Sequence, residues 1–490
     1  MVDTGQTWTM GRFSPGPGPV LERTPTRAQK FLARSSNCVE PGLVDLVGSR
    51  SESMNLPACP RVALETLGCK LNQYETEAVA AGFRLLGWEI VSSHTMAEAY
   101  VINTCTVTNK ADRKSRNVLG RFLGQLPAPI VVVTGCFAES ARETLESLDG
   151  ITFVIPNQRK NQIAALVDSH YRGEIGTRNL PLANSFAFPV LEKVFHTRAS
   201  VKIQDGCDHF CSFCIIPSVR GQARSRPMEE VLETARVLIA SGRKELVLTG
   251  VNMGQWREDG RNFISLVKAL LDLDGDFRLR ITSMEPEGLG QDFASLFSHP
   301  KMCPHLHLCL QSGSPRILLA MRRQYTLDQF AALVSLLRGQ NPGLNLTTDL
   351  IVGFPGETTD DFEQSLESVE AFGFSFVHLF PFSPRQDTRA ERMPGQIADI
   401  VKQARLETVR AAAAGARERL MTTLVGQFRR VLVETSDGKT PSRTLRGFTE
   451  DYFPVRFEGT APWNSFVEVQ LVRVVKAGDE FVFDGKVSPF

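Results

Sequence analysis

No stretch of this 490-residue chain approaches the run of about 18 apolar residues that a membrane span requires. Its start also lacks the short apolar core of a signal peptide. Neither insertion nor export is expected, and the chain reads as cytoplasmic. An excess of one charge is lacking too: Lys plus Arg number 55 against 54 Asp plus Glu, a formal +1. Any nucleic-acid surface must therefore be a local patch rather than a global field. Cysteine is sparse, ten in the whole chain, which excludes a small disulfide scaffold. The clustering of those few points instead to metal or redox use in a reducing compartment. At roughly 150 residues per domain the length corresponds to about three domains.

Hydrophobic periodicity is absent from residues 1–58. Stretches such as "GRFSPGPGPVLERTPTRAQ" are rich in Pro, Gly, Ser and Thr and cannot bury enough surface to offset chain entropy, so a disordered leader is expected there. Its six basic residues stand against five acidic ones, unlike the acid-poor composition of organelle transit peptides. Met54, just before the first strand-like run, is an alternative start.

Regular pattern begins with three similar units: "RVALETLGCK" to Cys69, "AYVINTCTVT" to Cys105 and "PIVVVTGCFAE" to Cys136. Each is an apolar strand ending at a cysteine and followed by a helix-like segment, the alternation of a parallel sheet with crossover helices. Crossovers place all three strand ends on one edge, where open parallel sheets bind ligands. Cys69, Cys105 and Cys136 are expected to converge there despite being 36 and 31 positions apart. An α/β domain over residues 59–180 accounts for this part.

Between residues 190 and 420 six strand-like runs alternate with helical spans: "SVKIQ", "ELVLTGVN", "RLRITSMEP", "HLHLCLQSG", "NLTTDLIVGFPG" and "FSFVHLFPFSP". Six repeats fall short of the eight of a closed barrel, and a partial (β/α)6 barrel is expected, with functional loops at the strands' C-terminal ends. After the first strand comes "DGCDHFCSFCIIPSVRGQARSRP", with Cys207, Cys211 and Cys214 in eight positions. Thiolates at this spacing can face one metal centre, which would lower their pKa far below the free value of about 8.5. A closed zinc site needs a fourth ligand, for which His209 is the nearby candidate. A cubane iron–sulfur cluster ordinarily takes four cysteines, so three leave one iron open. Spacing alone admits both.

Local basic patches are present. The segment after Cys105 carries Lys110, Arg113, Lys114, Arg116 and Arg121 against Asp112 alone, and the loop leaving the second cysteine group adds Arg220, Arg224 and Arg226. "KQARLETVRAAAAGARERL" adds five basic residues against two acidic. Phosphates would be drawn to such patches. From residue 423 to 490 the pattern changes to short alternating strands, "FRRVLVET", "FPVRFEG", "SFVEVQLVRVV" and "EFVFDG", which read as a small all-β barrel. Val425–Phe490 holds nine basic and nine acidic residues, so its charge does not favour RNA.

The CxxxCxxC loop of Cys207, Cys211 and Cys214 resembles that of radical S-adenosylmethionine (SAM) enzymes. Together with the three upstream cysteines and the β tail, residues 62–490 resemble the methylthiotransferases of that superfamily. "ETLGCKLNQYETEA", "LTGVN", "PHLHLCLQSGS" and "DLIVGFPGET" are similar to the bacterial tRNA members that act on N6-threonylcarbamoyladenosine. The resemblance implies two 4Fe-4S clusters, one on Cys207, Cys211 and Cys214 with SAM on its open iron, the other on Cys69, Cys105 and Cys136 holding the sulfur to be inserted. Reductive cleavage of SAM would yield a 5′-deoxyadenosyl radical that abstracts hydrogen from adenine carbon 2, and a second SAM would methylate the sulfur. It further implies SAM contacts at Thr249 and Gly250 (methionyl group), Ser312 and Gly313 (ribose) and Gly353 (adenine), and a TRAM-like C-terminal domain that grips tRNA. Cys309 stands where the family pattern leads one to expect proline before "LQSGS". Cys303 and Cys309 read as strand or loop thiols, as do Cys38 and Cys59. Partners implied are tRNA, an electron donor such as flavodoxin or ferredoxin, and a sulfur donor. Methylthiotransferases of isopentenyladenosine tRNA or of a ribosomal protein, and a zinc-stabilised RNA-binding protein without catalysis, are the alternatives.

Overall fold

The computed structural model describes residues 59–124, 127–174, 184–189, 196–437 and 444–488. The expected leader at 1–58, with Cys38 and Met54, lies outside the described residues. The first unit is an open sheet of five parallel strands, ordered β2-β1-β3-β4-β5. They are β1 (Arg61–Thr66), β2 (Glu89–Val91), β3 (Ala99–Thr104), β4 (Ile130–Gly135) and β5 (Phe153–Ile155). The three apolar runs ending at cysteines are its central strands, while β2 and β5 span three residues each and leave little signal in the sequence. β3 is buried along its whole length, as crossover helices on both faces require of a central parallel strand. Helix α1 (Lys70–Leu85) follows β1, and α2 (Asn109–Gly120) follows β3, with the Thr108 side chain accepting from the Ala111 N–H as its cap. After β4 the expected single helix is two short ones, α3 (Cys136–Ser140) and α4 (Arg142–Glu146), because Ala141 leaves helical geometry at φ −124° and ψ 29°.

The second unit contains β6 (Ala199–Lys202), β7 (Glu245–Thr249), β8 (Arg278–Ile281), β9 (His305–Leu308), β10 (Asn345–Val352) and β11 (Phe376–Pro381). Parallel pairing runs through β6, β7 and β8 and through β9, β10 and β11. The two halves join where Ser283–Met284, just beyond β8, pairs with His307 and Leu308. Among the described residues nothing pairs β6 with β11, so the curved wall is open on that side. Leu246, Leu248, Leu279, Ile281, Leu306, Leu308, Leu346 and Leu350 enter the core shared with the outer helices. Period-2 geometry turns their neighbours Glu245, Thr249, Arg280, His305, His307, Thr347 and Asp349 to the inner face, where all are buried. Barrels of this type are ordinarily filled with branched apolar side chains. The alternation in "RLRI" and "HLHL" instead produces a polar lumen.

The third unit closes as a ring, β12 (Phe428–Asp437), β13 (Thr444–Thr449), β14 (Pro454–Glu458), β16 (Glu480–Val487) and β15 (Phe466–Ala477), in that spatial order. Four of these strands are alternating runs in the sequence. The fifth, β13, is "TLRGFT", whose Gly447 allows close strand approach: a Cβ there would lie 1.9 Å from the Leu432 carbonyl oxygen. Contacts from the beginnings of the barrel strands hold the ring. Arg278 donates to the Arg430 and Phe448 carbonyls, both at 3.1 Å, Asn345 Nδ2 to Asp451 O at 2.6 Å, and Trp463 Nε1 to Thr197 Oγ1 at 2.8 Å. The ring thus covers the end of the barrel opposite the strands' C-terminal loops. Tyr452, at a turn with φ 73°, seals the lumen floor. Its ring centroid lies 4.7 Å from the Arg280 guanidinium, 5.1 Å from that of Arg198 and 5.5 Å from Lys70 Nζ.

Burial alone would raise the Tyr452 phenol, but Arg198, Lys70 and Arg280 outweigh it and bring it down to about 7. A folded value below the unfolded one means that this contact gains stability as pH rises from 7 toward 10 and loses it as pH falls through 7. Spectrophotometric titration should show one of the five tyrosines ionising near neutrality, and Tyr452→Phe should remove that transition. Ionisation of every tyrosine near the ordinary value of about 10 would contradict a positive potential at the lumen floor.

Candidate functional site

The ends of β1, β3 and β4 bring Cys69, Cys105 and Cys136 together as the spacing led one to expect. Gly68 and Gly135 both adopt φ 99°, a conformation that favours glycine, and swing the chain off each strand so that the following cysteine starts a helix. The approach is close: a Cβ on Gly68 would meet Cys105 Sγ at 2.8 Å, and one on Gly135 would meet the Thr104 carbonyl oxygen at 2.2 Å. Burial, together with charge on Cys136 and Cys69, pushes the Cys105 thiol up to about 12. Cys136 packs with Ile215 and Val219, so this group borders the second cysteine loop directly.

That loop is closed at its base by Gln204–Asp205 pairing antiparallel with Arg224–Ser225. Gly206, at φ 71°, turns into it, and a Cβ there would lie 2.0 Å from Gln222 O. Helix α5 (Ile216–Arg220) carries the chain back, and the loop is pinned further by Ser212 N–H to Met321 O (3.0 Å) and Ala390 N–H to Ser212 O (2.7 Å). The sulfurs receive donors: the His209 N–H to Cys207 at 3.4 Å, Asn252 Nδ2 to Cys207 at 3.9 Å and Arg323 Nη1 to Cys211 at 3.2 Å. Burial pushes Cys207 up to about 11 and Cys214 up to about 12. A depression of about 390 Å³ lined by Asp208, His209, Phe210, Glu287, Arg322 and Gln324 opens beside it.

Both triads suit iron–sulfur clusters better than single ions. Thiolates about 2.3 Å from one tetrahedral zinc would lie about 3.8 Å from one another. Among the described residues, the group that brings three such ligand atoms within 4.8 Å is His307, Cys309 and Asp349, not either cysteine triad. His209, the candidate fourth zinc ligand, turns Nε2 to Glu287 Oε1 at 2.5 Å. Thiols raised as Cys105, Cys207 and Cys214 are stay protonated by themselves, so a cationic centre that replaces the protons is needed to make them thiolates.

Between the two triads lies a knot of buried charge. Glu75 of α1 is bonded to Lys160, to Lys202 at 2.8 Å and to Arg220 at 3.0 Å. Asp205 is bonded to Lys202 at 2.8 Å and Arg220 at 3.0 Å, and Arg220 also donates to Asn72 Oδ1 at 2.7 Å. All five charged groups are nearly inaccessible. Three cations against two carboxylates leave one positive charge over, and Arg220 acts on Cys136 and Cys105 to lower their pKa. Burial opposes ionisation of Asp205, yet Lys202 and Arg220 bring it down to about 2.

The knot corrects part of the expected RNA surface. Arg220 is 2% exposed and Arg226 5%; Arg226 is bonded to Thr234 at 2.9 Å and paired with Glu230 at 3.4 Å. These two are buried structural cations and are not available to phosphate. Arg224 is half-buried, 3.8 Å from Asp205. Helix α2 keeps Lys110, Arg113 and Arg116 exposed and Lys114 partly so. Its one acid, Asp112, turns to Arg385 at 2.8 Å, which leaves the outer face with cations alone.

The expected SAM contacts divide in a similar way. Thr249, at the end of β7, is buried with Oγ1 unpartnered, and Gly250 follows it, where a Cβ would meet Gln204 Oε1 at 3.1 Å. Ser312 is spent internally on Ser365 (3.3 Å) and the Ser314 N–H (3.2 Å). The space a Gly313 Cβ would need is taken by Ser368 of helix α6 (Thr359–Ala371), and that of Gly353 (φ 72°) by Lys402 of helix α7 (Asp399–Thr423). Packing by the protein's own helices, rather than approach of ribose or adenine, accounts for those two glycines. Sequence reasoning passed over Asn252 and Arg323 although "LTGVN" ends on the first. It also passed over Arg385, which binds the Thr106 carbonyl at 2.7 Å and docks the first unit on the loop after β11.

A family model described as uncharacterized protein family UPF0004 matches residues 61–155, and one described as the radical SAM superfamily matches residues 201–369. The threonylcarbamoyladenosine tRNA methylthiotransferase MtaB of Bacillus subtilis is 37% identical over 428 residues, covering 85% of this chain and 94% of the relative. MtaB of Thermotoga maritima is 34% identical over 429 residues, covering 86% and 96%. The tRNA-2-methylthio-N(6)-dimethylallyladenosine synthase of Paracoccus denitrificans is 32% identical over 417 residues, covering 81% and 91%. Among solved structures, the radical SAM methyltransferase TsrM from Kitasatospora setae, with cobalamin and a 4Fe-4S cluster bound, shares the fold. Its TM-score is 0.51 at 14% identity, covering 68% of this chain and 77% of TsrM.

Glu75→Gln would leave the three buried cations facing Asp205 alone. It should cost on the order of 3–5 kcal/mol, the usual penalty for breaking a buried pair, seen as a lower thermal midpoint of the cluster-free protein. An unchanged midpoint would mean that the knot does not hold the first two units together.

Proposed function

The chain belongs to the radical SAM tRNA methylthiotransferase family, and from that premise we propose that Cys207, Cys211 and Cys214 hold one of its two 4Fe-4S clusters and Cys69, Cys105 and Cys136 the other. The enzyme converts N6-threonylcarbamoyladenosine, next to the anticodon on its 3′ side, to the 2-methylthio derivative. What supports the assignment of both sites is their adjacency, with Cys136 packed on the helix that leaves the Cys214 loop. When bound, the first cluster with SAM supplies one-electron reductive cleavage of the SAM sulfonium, and the second supplies an exchangeable position for the sulfur to be inserted.

The protein's own groups hold, charge and shield these centres. Cys207 and Cys211 accept hydrogen bonds from Asn252 and Arg323, which favour a reduced, more negative centre to the extent that they stabilise charge on sulfur. Arg323 is neutralised by Glu285, so it supplies direction more than net charge. Beside the other triad the surplus cation of the knot balances thiolate charge. Burial of Cys105 and Cys136 keeps water from that side of the strand-end triad. Thr249 and Gly250, at the mouth of the lumen, would hold the methionyl end of SAM. The α2 cations Lys110, Arg113, Lys114 and Arg116, with half-buried Arg224, draw the tRNA backbone toward the mouth. A one-electron carrier of flavodoxin or ferredoxin type and a sulfur donor complete the reaction in the cytoplasm.

Cys207→Ala, Cys211→Ala and Cys214→Ala should each abolish 5′-deoxyadenosine formation after anaerobic reconstitution. Cys105→Ala should retain it while losing the 2-methylthio nucleoside, with both products measured in one assay on threonylcarbamoylated tRNA and circular dichroism matched to the unsubstituted chain. Full nucleoside modification by Cys105→Ala would leave the strand-end triad as mere packing.

A further inference from the structure

The N6 substituent of the substrate carries, apart from one methyl, polar groups: a ureido group, a hydroxyl and, at its end, a carboxylate. A carboxylate taken into a protein interior needs a cation with charge to spare. Most cations around the lumen have none. Lys202 is held by Glu75 and Asp205, Arg198 by Glu434 at 2.7 Å, Arg278 and Arg280 share Glu245 at 2.6 Å, and Arg323 is paired with Glu285. Lys70 differs. Among the described residues no carboxylate lies within ion-pair distance of its ammonium, which reaches over the ring of Tyr452 at 5.5 Å. Its charge is felt at His305 and His378 on the inner face of the barrel. Lys70 also directly follows Cys69, so its side chain reaches from the start of α1, next to the strand-end triad, to the lumen floor.

The lumen near Lys70 carries polar atoms with nothing to bind. His305 Nδ1 and Arg280 Nη1 are buried without a hydrogen-bond partner, on side chains belonging to residues 5% and 1% exposed. Such atoms cost free energy unless a ligand or water meets them. His305 is held well below the ordinary imidazole range, first by burial and then by Arg280 and Lys70, so its ring is neutral and able to donate or accept. The depressed phenol of Tyr452 reports the same positive potential.

We propose that the barrel lumen receives the N6-threonylcarbamoyl group and that Lys70 is its specificity-determining residue, binding the threonyl carboxylate while His305 Nδ1 and Arg280 Nη1 meet the hydroxyl and ureido oxygen. This rests on threonylcarbamoyladenosine being the substrate. It gives a purpose to the packing of α1 along β6 at the open side of the barrel: the helix brings the selecting cation in. An uncharged alkyl substituent at N6 would leave the same polar atoms unpaired, so the lumen also selects against it.

The test compares two anticodon stem-loops, one with threonylcarbamoyladenosine and one in which the threonyl carboxylate is an uncharged carboxamide. Each is given to cluster-loaded unsubstituted protein, Lys70→Gln and Lys70→Arg. Affinity is read by fluorescence anisotropy, and kcat/KM by formation of the methylthio nucleoside. The unsubstituted chain should prefer the carboxylate form by about 10- to 100-fold, the range of a charge-assisted hydrogen bond. Lys70→Gln should lose most of that preference by weakening the carboxylate form alone, and Lys70→Arg should restore it. Equal weakening of both stem-loops by Lys70→Gln, or full retention of the preference, would overturn the proposal. So would the absence of any preference in the unsubstituted chain, a measurement that does not depend on a variant folding. Failure of the underlying substrate assignment looks different: the unsubstituted chain would then methylthiolate neither stem-loop and would act on tRNA bearing another N6 group.

Discussion

Burial of Glu75 is the constraint around which the first two units are arranged. A carboxylate with no solvent access is tolerated only if cations reach it from every side, and here they come from three separate stretches of chain: Lys160 from the first unit, Lys202 from the first barrel strand and Arg220 from the end of the cysteine loop. Satisfying Glu75 therefore fixes the position of the loop relative to the strand-end triad. Asp205 repeats the demand on Lys202 and Arg220. Hydrophobic contact between Cys136, Ile215 and Val219 is non-directional, whereas a bidentate guanidinium between two carboxylates sets angle as well as distance. The relative position of the two cysteine triads is thus specified by an ion network that lies between them and reaches Cys136 through Arg220.

An incomplete barrel is usually a liability because its edge strands expose unpaired backbone. Here α1 lies along β6 on one side, and on the other Arg385 and Ser383 after β11 hold the loop that follows Cys105. The opening so covered gives on to an inner face of arginine, histidine, threonine and aspartate. That face would be unstable if dry and empty, and it is suited to a polar guest. The floor is made by a third unit through Tyr452, so walls, side and floor of one chamber come from three parts of the chain.

Much of this was legible before any coordinates. Where the six cysteines fall in the fold was legible because strand ends and short spacing are displayed directly in the sequence. The six barrel strands stood out by apolar runs at regular intervals, and the ring by its alternation, apart from β13, where glycine and polar residues dilute the pattern. Exposure was not legible: Arg220 and Arg226 resemble the α2 cations in a one-dimensional view, and only the fold reveals that a glutamate 145 positions earlier claims the first of them. Gly313 and Gly353 were legible as special positions, yet whether a glycine makes room for a ligand or for the protein's own helix depends on packing across the chain. The alternation "HLHL" was visible as a strand, but its consequence for the lumen required knowing that both faces are buried.

The charge knot also has a history within each molecule's synthesis. Glu75 leaves the ribosome well before the cations that neutralise it, since Lys160 lies 85 positions further on, Lys202 127 and Arg220 145. Until the barrel cations emerge, the inner face of α1 presents Glu75, with Lys160 alone to pair with it, beside Asn72 instead of a bare apolar stripe. Nascent domains with exposed hydrophobic surfaces are prone to aggregate, and a charged docking face keeps the early product soluble. Emergence of Arg220 then removes the need for water there, so the group that keeps the half-made protein apart from its neighbours becomes the one that locks the finished protein together.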